Sequence, residues 1–291
     1  MADHQVAVVM VPLPAQGHLN QLLHLSRLIS AYNIPVHFAG TTTHNRQAKA
    51  RVHGWDPLAT TNIHFHDFST PPFHNPPPDP NATTKFPSQI LPAFHASMEL
   101  RHPIFSMVEK SLRKGQKTFS LYSFYWEIVG KPLVKIEAEI LNEVPSMEGC
   151  FVPELSEFSN LQKEAKKFHS GDLFNTNRII EGFYLDLLGN EKATGTDKIW
   201  AIGPFNPVVI PERKNSNSCS HKCLQWLDKQ ASNSVIFISF GSTSSLSDEQ
   251  IKELALGLEK SGKKFIWVLR DADKGNVFEG DVRRASLPEG N

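Results

Sequence analysis

Cysteine is scarce in this chain: 3 of 291 residues, at Cys150, Cys219 and Cys223. So few, so scattered, they exclude a disulfide scaffold and fit a reducing compartment. Charge of one sign is lacking too, because 30 Lys and Arg offset 30 Asp and Glu. A chain without net charge gives no electrostatic reason to expect nucleic acid or an anionic membrane as a partner. Long hydrophobic runs are missing: the apolar stretch at 6–11 is broken by Pro12 and Pro14, and residues 1–5 have no basic region of the signal-peptide kind. No G-x-G-x-x-G follows a strand-like run and no Walker A sequence occurs, so dinucleotide and P-loop chemistry lose their main support. The expectation is a cytoplasmic globular monomer, long enough for one large or two ordinary domains.

What is present begins at residues 6–29, VAVVMVPLPAQGHLNQLLHLSRLI. The β-branched run at 6–11 reads as a strand buried on both faces. Leu22, Leu25 and Ile29 then recur at helical spacing. Residues 34–40 read as a second strand, 45–52 as a short polar helix and 62–68 as a third strand. Strands alternating with helices predict an α/β fold with a doubly wound parallel sheet. The proline-dominated stretch 69–92 is a loop, and a helical pattern resumes over 91–112. An aromatic segment follows at 118–126, and 171–185 reads as a strand followed by a helix. A second unit begins after the polar stretch 211–220. It has a helix near 224–228, an apolar strand at 234–240, a turn at 241–243 and another strand at 265–269. Between the turn and the last strand, Ser247 and Gln250 form a capping-box pattern ahead of Ile251, Leu254 and Leu258, with Gly262 as the stop.

His18 leads the candidates for chemistry. At a helix N-terminus, unpaired amides and the dipole disfavour imidazolium, so the ring stays neutral and can act as a base. Gly17 beside it suits a sharp turn and close approach by a substrate. The alternative is a histidine that only caps the helix. Gly241, Ser242 and Thr243 end a strand and could offer amides and a hydroxyl to a diphosphate, or could form an ordinary turn. His64 and His66, with Asp67, fit a half-exposed strand better than a metal site, because no third ligand is indicated. Cys219, His221 and Cys223 lack the second ligand pair that zinc needs. Tyr122, Phe124, Tyr125 and Trp126 suit a core first, although aromatics lining an apolar pocket would also fit.

Taken together, VPLPAQGHLNQLLHLSRLI, IHFHDFSTPPFHNPPPDPNA, MEGCF at 147–151, WAIGPF at 200–205, CLQWLDKQ at 223–230 and VIFISFGS at 235–242 resemble the plant UDP-sugar-dependent glycosyltransferases of the GT-B type. Within that family the chain is most similar to the zeatin (cytokinin) O-glucosyltransferase branch, with which Leu19-Asn20-Gln21 agrees. The resemblance implies a Rossmann-like N-terminal acceptor domain over 1–205, a linker over 206–221 and the beginning of a second Rossmann-like, donor-binding domain over 222–291. It implies inverting transfer of glucose or xylose from its UDP conjugate, with no further cofactor or metal. His18 would take the proton of an acceptor hydroxyl. Gln16, Gly17, Leu19, Asn20, Phe119 and Phe124 would surround the acceptor, and Gly241, Ser242 and Thr243 would meet the donor.

Two departures from the family pattern stand out. Relatives carry a strand with an aspartate that holds their histidine. Here Lys114-Gly115-Gln116-Lys117 runs straight into Thr118-Phe119-Ser120, so the chain is expected to be shortened near residue 117. Neither W-x-P-Q nor H-C-G-W-N-S, the donor-site signature of relatives, occurs in the 291 residues. Asp67 and Glu127 are the carboxylates to compare with His18, and neither is expected to pair with it.

Overall fold

β1 (Val8–Met10), β2 (Val36–Thr41) and β3 (Ile63–Phe68) lie parallel in that order, with β2 in the middle. The computed structural model describes residues 6–52, 54–84, 86–111, 152–155, 171–190, 198–205 and 222–281. Alternate residues of a strand share a face, so Met10, Val36, Phe38 and Ile63 line one side of this sheet. α1 (Gln16–Ser30) covers that side with Leu19, Leu23 and Leu25. The strand expected at 6–11 is shorter and less covered than its composition suggests. Val6 and Val11 are exposed and only Met10 is buried. Among the described residues β1 pairs with β2 alone, which leaves its other edge open there.

α2 (Thr42–Ala50) starts at Thr42 rather than near residue 45, because Thr41 caps it: its hydroxyl oxygen accepts from His44 N at 3.0 Å. Asn45 then donates from Nδ2 to the His66 carbonyl and to Asp67 Oδ1, tying α2 to β3. The tie needs Gly40. A Cβ there would fall 2.6 Å from Asn45 Oδ1, too close for any side chain.

Beyond the proline-rich loop, α3 (Leu91–Ser97) and α4 (Arg101–Ser111) are joined by a short 3-10 turn. Ile90, Leu91, Phe94 and Leu155 form a second, smaller core. β4 (Asp172–Phe174) pairs in parallel with β5 (Ile199–Ala201), with α5 (Arg178–Asn190) between them in sequence.

The C-terminal unit comprises α6 (Lys222–Leu227), β6 (Val235–Ile238), α7 (Asp248–Ser261) and β7 (Lys264–Trp267), with β6 and β7 parallel. Both halves of the expected capping box form: Ser247 accepts from Gln250 N, and Gln250 Oε1 accepts from Ser247 N. Gly262 closes α7 at φ 60°, a left-handed conformation that favours glycine. The apolar run at 234–240 suits a buried strand, yet Phe237 on β6 is exposed, as is Phe265 on β7.

After β7 the chain returns to the first unit. Ala272, Asp273 and Asn276 are buried there. Arg51 of the first unit grips the Asp273 carboxylate with both guanidinium nitrogens, at 2.6 and 3.1 Å. Asn75 donates to the Asn276 carbonyl and accepts from the Asn276 amide. The Arg46 guanidinium lies 4.0 Å from the centre of the Phe278 ring. His44 Nε2 donates to the Gly275 carbonyl at 2.8 Å, which leaves Nδ1 as the acceptor for the Thr41 hydroxyl at 2.6 Å. Residues 271–281 thus clasp α2 and the proline-rich loop.

Candidate functional site

His18 is the third residue of α1, the helix that covers one side of the parallel sheet. The N-cap position belongs to Ala15, which has no side-chain cap bond, and the amides of His18 and Leu19 both donate to the Ala15 carbonyl. His18 is therefore inside the helix rather than at its cap, and the capping alternative falls. Its residue surface is open to solvent, yet enough protein surrounds the imidazole that desolvation lowers its pKa from the ordinary 6.5. A neutral, reachable imidazole results, with the protonation state that a general base requires.

The neighbours of His18 divide into three kinds. Gly17 is a helical residue with open space where a Cβ would be, so close approach is possible. The sharp turn expected there is not observed, because Gly17 already continues the helix. Leu19 is fully buried in the core with Val36 and Phe38. It holds α1 on the sheet, and a side chain enclosed in this way cannot touch an acceptor. Gln16 is also buried, and its side chain is occupied. Its Oε1 accepts from Gln47 Nε2 at 2.9 Å and from Arg51 Nη1 at 2.9 Å, while its Nε2 donates to Asn20 Oδ1 at 2.6 Å. Asn20 is exposed, two residues beyond His18 on α1. Phe119, Phe124 and Glu127, with the whole aromatic segment, lie outside the described residues. Asp67 turns its carboxylate to Asn45 and Lys49.

On the candidate donor side, Gly241 takes φ 74° three residues after the end of β6, which makes it a turn glycine. The turn does not open a helix, however. α7 starts only at Asp248, and the capping box already engages its first amides. Of the three expected donor residues, Ser242 is the one with a long-range tie: its carbonyl accepts from Asp273 N at 2.8 Å. Gly241 and Thr243 are exposed.

The strand of alternating histidines is half-exposed, as its pattern predicts, but it has a partner that sequence spacing did not disclose. His37 on β2 meets His66 across the sheet, Nδ1 to Nε2 at 2.8 Å, and lies 5.2 Å from His64 between ring centres. The pKa values of His37 and His66 are both lowered, first by burial and then by neighbouring imidazoles. Parallel register places His37 opposite His64, a contact that no local motif records. Among the described residues no group of His, Cys, Asp or Glu is arranged to hold a metal ion. Cys223 is exposed. No helix among the described residues is long and apolar enough to cross a membrane.

Comparison with known proteins agrees with this architecture. The family described as "Glycosyltransferase, N-terminal domain" matches residues 4–123 and 116–207. Zeatin O-glucosyltransferase of Phaseolus lunatus is 44% identical over 320 aligned positions, covering 99% of this chain and 67% of its own length. Zeatin O-xylosyltransferase of Phaseolus vulgaris is also 44% identical, covering 99% of this chain and 68% of its own length. The chain therefore spans about two thirds of these relatives. Since 320 aligned positions exceed 291 residues, at least 29 of them have no counterpart here. Among solved structures, Arabidopsis thaliana UGT89C1 complexed with UDP-L-rhamnose superimposes with a TM-score of 0.64 at 23% identity, covering 97% of this chain and 69% of that one. Medicago truncatula UGT71G1 complexed with UDP-glucose gives 0.62 at 19% identity, covering 92% of this chain and 68% of that one. At such identities the solved structures speak for the fold, and the fold is GT-B. With parallel strands, a helix-borne histidine and relatives of this kind, the chain belongs to the plant UDP-glycosyltransferases of glycosyltransferase family 1.

Proposed function

We propose that the chain descends from, and acts as, a UDP-sugar-dependent O-glycosyltransferase that moves glucose or xylose to a hydroxyl of a zeatin-like acceptor. The observation that carries this reading is the 44% identity, over nearly the whole chain, to one zeatin O-glucosyltransferase and one zeatin O-xylosyltransferase. His18 is the base. Its neutral imidazole takes the proton from the acceptor hydroxyl as that oxygen attacks the anomeric carbon, and UDP leaves from the opposite face with inversion. The acceptor meets the open side of α1 at Gly17, His18 and Asn20. The donor diphosphate lies toward residues 241–243, and the sugar nucleotide is a second substrate rather than a resident cofactor. The protein works as a monomer.

The test is direct. The purified chain is incubated with zeatin and either UDP-glucose or UDP-xylose, and the product is weighed for one added hexose or pentose. His18→Ala should lower the rate by about 10²–10⁴, the usual contribution of a general base. An undiminished rate in that variant removes His18 from the chemistry.

A second reading, acceptor binding without transfer, is favoured by the open apolar strands of the C-terminal unit and by the 29 or more aligned positions without counterpart. Calorimetry separates the two. Heat on adding zeatin, with none on adding UDP and no product by mass, selects the second.

A further inference from the structure

Sequence gives no hint that Arg51 matters. It follows a short polar helix, and its contacts are remote along the chain. In the fold it joins the start of α1 to the segment after β7. From one nitrogen, Nη1, it donates to Gln16 Oε1 at 2.9 Å and to Asp273 Oδ2 at 2.6 Å, while Nη2 donates to Asp273 Oδ1 at 3.1 Å. Gln16 is the first residue of the helix that carries His18. Asp273 belongs to the clasp, and its own N–H holds the Ser242 carbonyl of the candidate donor turn at 2.8 Å. A continuous chain of hydrogen bonds therefore runs from the donor turn through Asp273 and Arg51 to the start of the base helix.

Four features make this chain more than a surface ion pair. Asp273 is buried, so losing a partner would strand a carboxylate away from water. Arg270 brings a second guanidinium to the same carboxylate from the C-terminal unit, so one acid is shared by a cation from each unit. The Arg51 contact is a two-pronged fork, which fixes orientation as well as distance. Gln16 is held from the far side by Gln47 and so cannot follow a displaced Arg51 without breaking that bond as well.

The geometry points to Arg51 as a positioning residue: it ties the donor turn, through Asp273, to Gln16 and so sets the place of the His18 imidazole. This rests on the proposal that His18 is the base. It also reassigns Gln16, which acts through α1 and not by touching the acceptor. The coupling has a direction that can be measured. When the pin is removed, the first turn of α1 loosens, water reaches the imidazole, and His18 returns toward its ordinary titration. Asn75 holds the same clasp at its other end without reaching Gln16, and so it separates loosening of the clasp from loss of the pin.

The experiment is an NMR titration of the His18 imidazole in the full chain, in the wild type and in Arg51→Ala, Arg51→Lys, Asp273→Asn and Asn75→Ala. Arg51→Ala and Asp273→Asn should move the His18 midpoint upward toward 6.5. Arg51→Lys, which keeps the charge but not the fork, should fall between them and the wild type. Asn75→Ala should leave the midpoint in place. If Arg51→Ala does not fold, Asp273→Asn breaks the same chain from the other side. An unchanged midpoint in whichever of these two variants folds, or an equal shift in Asn75→Ala, overturns the proposal. Where the wild type transfers sugar, Arg51→Ala should also lose on the order of 10–100-fold in kcat with little change in KM, as misplacement of a reacting group does. Loss of kcat in His18→Ala tests the base itself. A chain without transfer defeats the proposed function but leaves the titration readable.

Discussion

Phe38 and Phe237 invite comparison. Each sits inside an apolar run on a strand of a parallel pair, one in the first unit and one in the last. Phe38 is 0% exposed and Phe237 is 67% exposed. The run IFIS around Phe237 is more apolar than HFAG around Phe38, so local pattern would predict the opposite order of burial. The difference comes from what the chain brings to the face: α1 lays Leu19 and Leu23 over Phe38, whereas the described residues lay no such cover over Phe237. A strand pattern states how much burial is available, and only the partner elements turn it into stability.

Truncation is the sharpest way to break that comparison. Phe38→Ala should cost about 3–5 kcal/mol, the usual result of emptying a core aromatic site, and should unfold the three-stranded unit. Urea denaturation followed by hydrogen exchange of the peptide covering 36–41 would measure it. A loss below about 1 kcal/mol would mean that α1 does not seal this face.

Acid should separate the two units next. His18, His37, His44 and His66 all titrate below 6.5 in the folded chain, and residues 222–291 contain no histidine. Groups with lowered pKa bind fewer protons when folded than when unfolded. The stability they contribute is fully present above 6.5 and is lost as pH falls from there toward their lowered values. At His37 and His66 burial is the largest cause; neighbouring imidazoles add repulsion, and the Asp67 carboxylate opposes it at His66. Burial alone drives His44, against the pull of the Gly275 carbonyl. Hydrogen exchange between about pH 7 and about pH 5 should therefore quicken across β2 and β3 and leave β6 and β7 unchanged relative to intrinsic rates. Equal loss in both units would place the sensitivity elsewhere.

How much of this was legible follows the range of each interaction. The helix that carries His18, the capping box at Ser247 and the stop at Gly262 depend on neighbours within a turn, and their residue types announce them. The sequence places the start of α2 near residue 45 because Thr41, Thr42 and Thr43 show no helical apolar spacing, and only the bond from His44 N to the Thr41 hydroxyl reveals the cap. The family resemblance puts Leu19 at the acceptor, whereas on this helix its side chain is enclosed in the core. The clasp was not legible at all. Arg51 and Asp273 are 222 residues apart, and no spacing rule connects a polar helix end to a loop after the last strand. The histidine cluster was half legible: alternation gave His64 and His66, while His37 required the register.

The smallest expected effect is the most pointed. Phe237→Ser removes a large apolar group and would be expected to cost several kcal/mol if strand pattern alone fixed burial. With two thirds of the residue open to water, little transfer free energy is recovered by keeping it there, and the change in stability should stay within about 0.5 kcal/mol. The serine should instead raise the concentration at which the chain stays dispersed, because Phe237, Phe240 and Phe265 together expose aromatic surface on one small sheet and the turn that follows β6. Thermal melts and light scattering on the same samples measure both. A large loss of stability would show that this face is covered in solution, and the contrast with Phe38 would then reduce to one of degree.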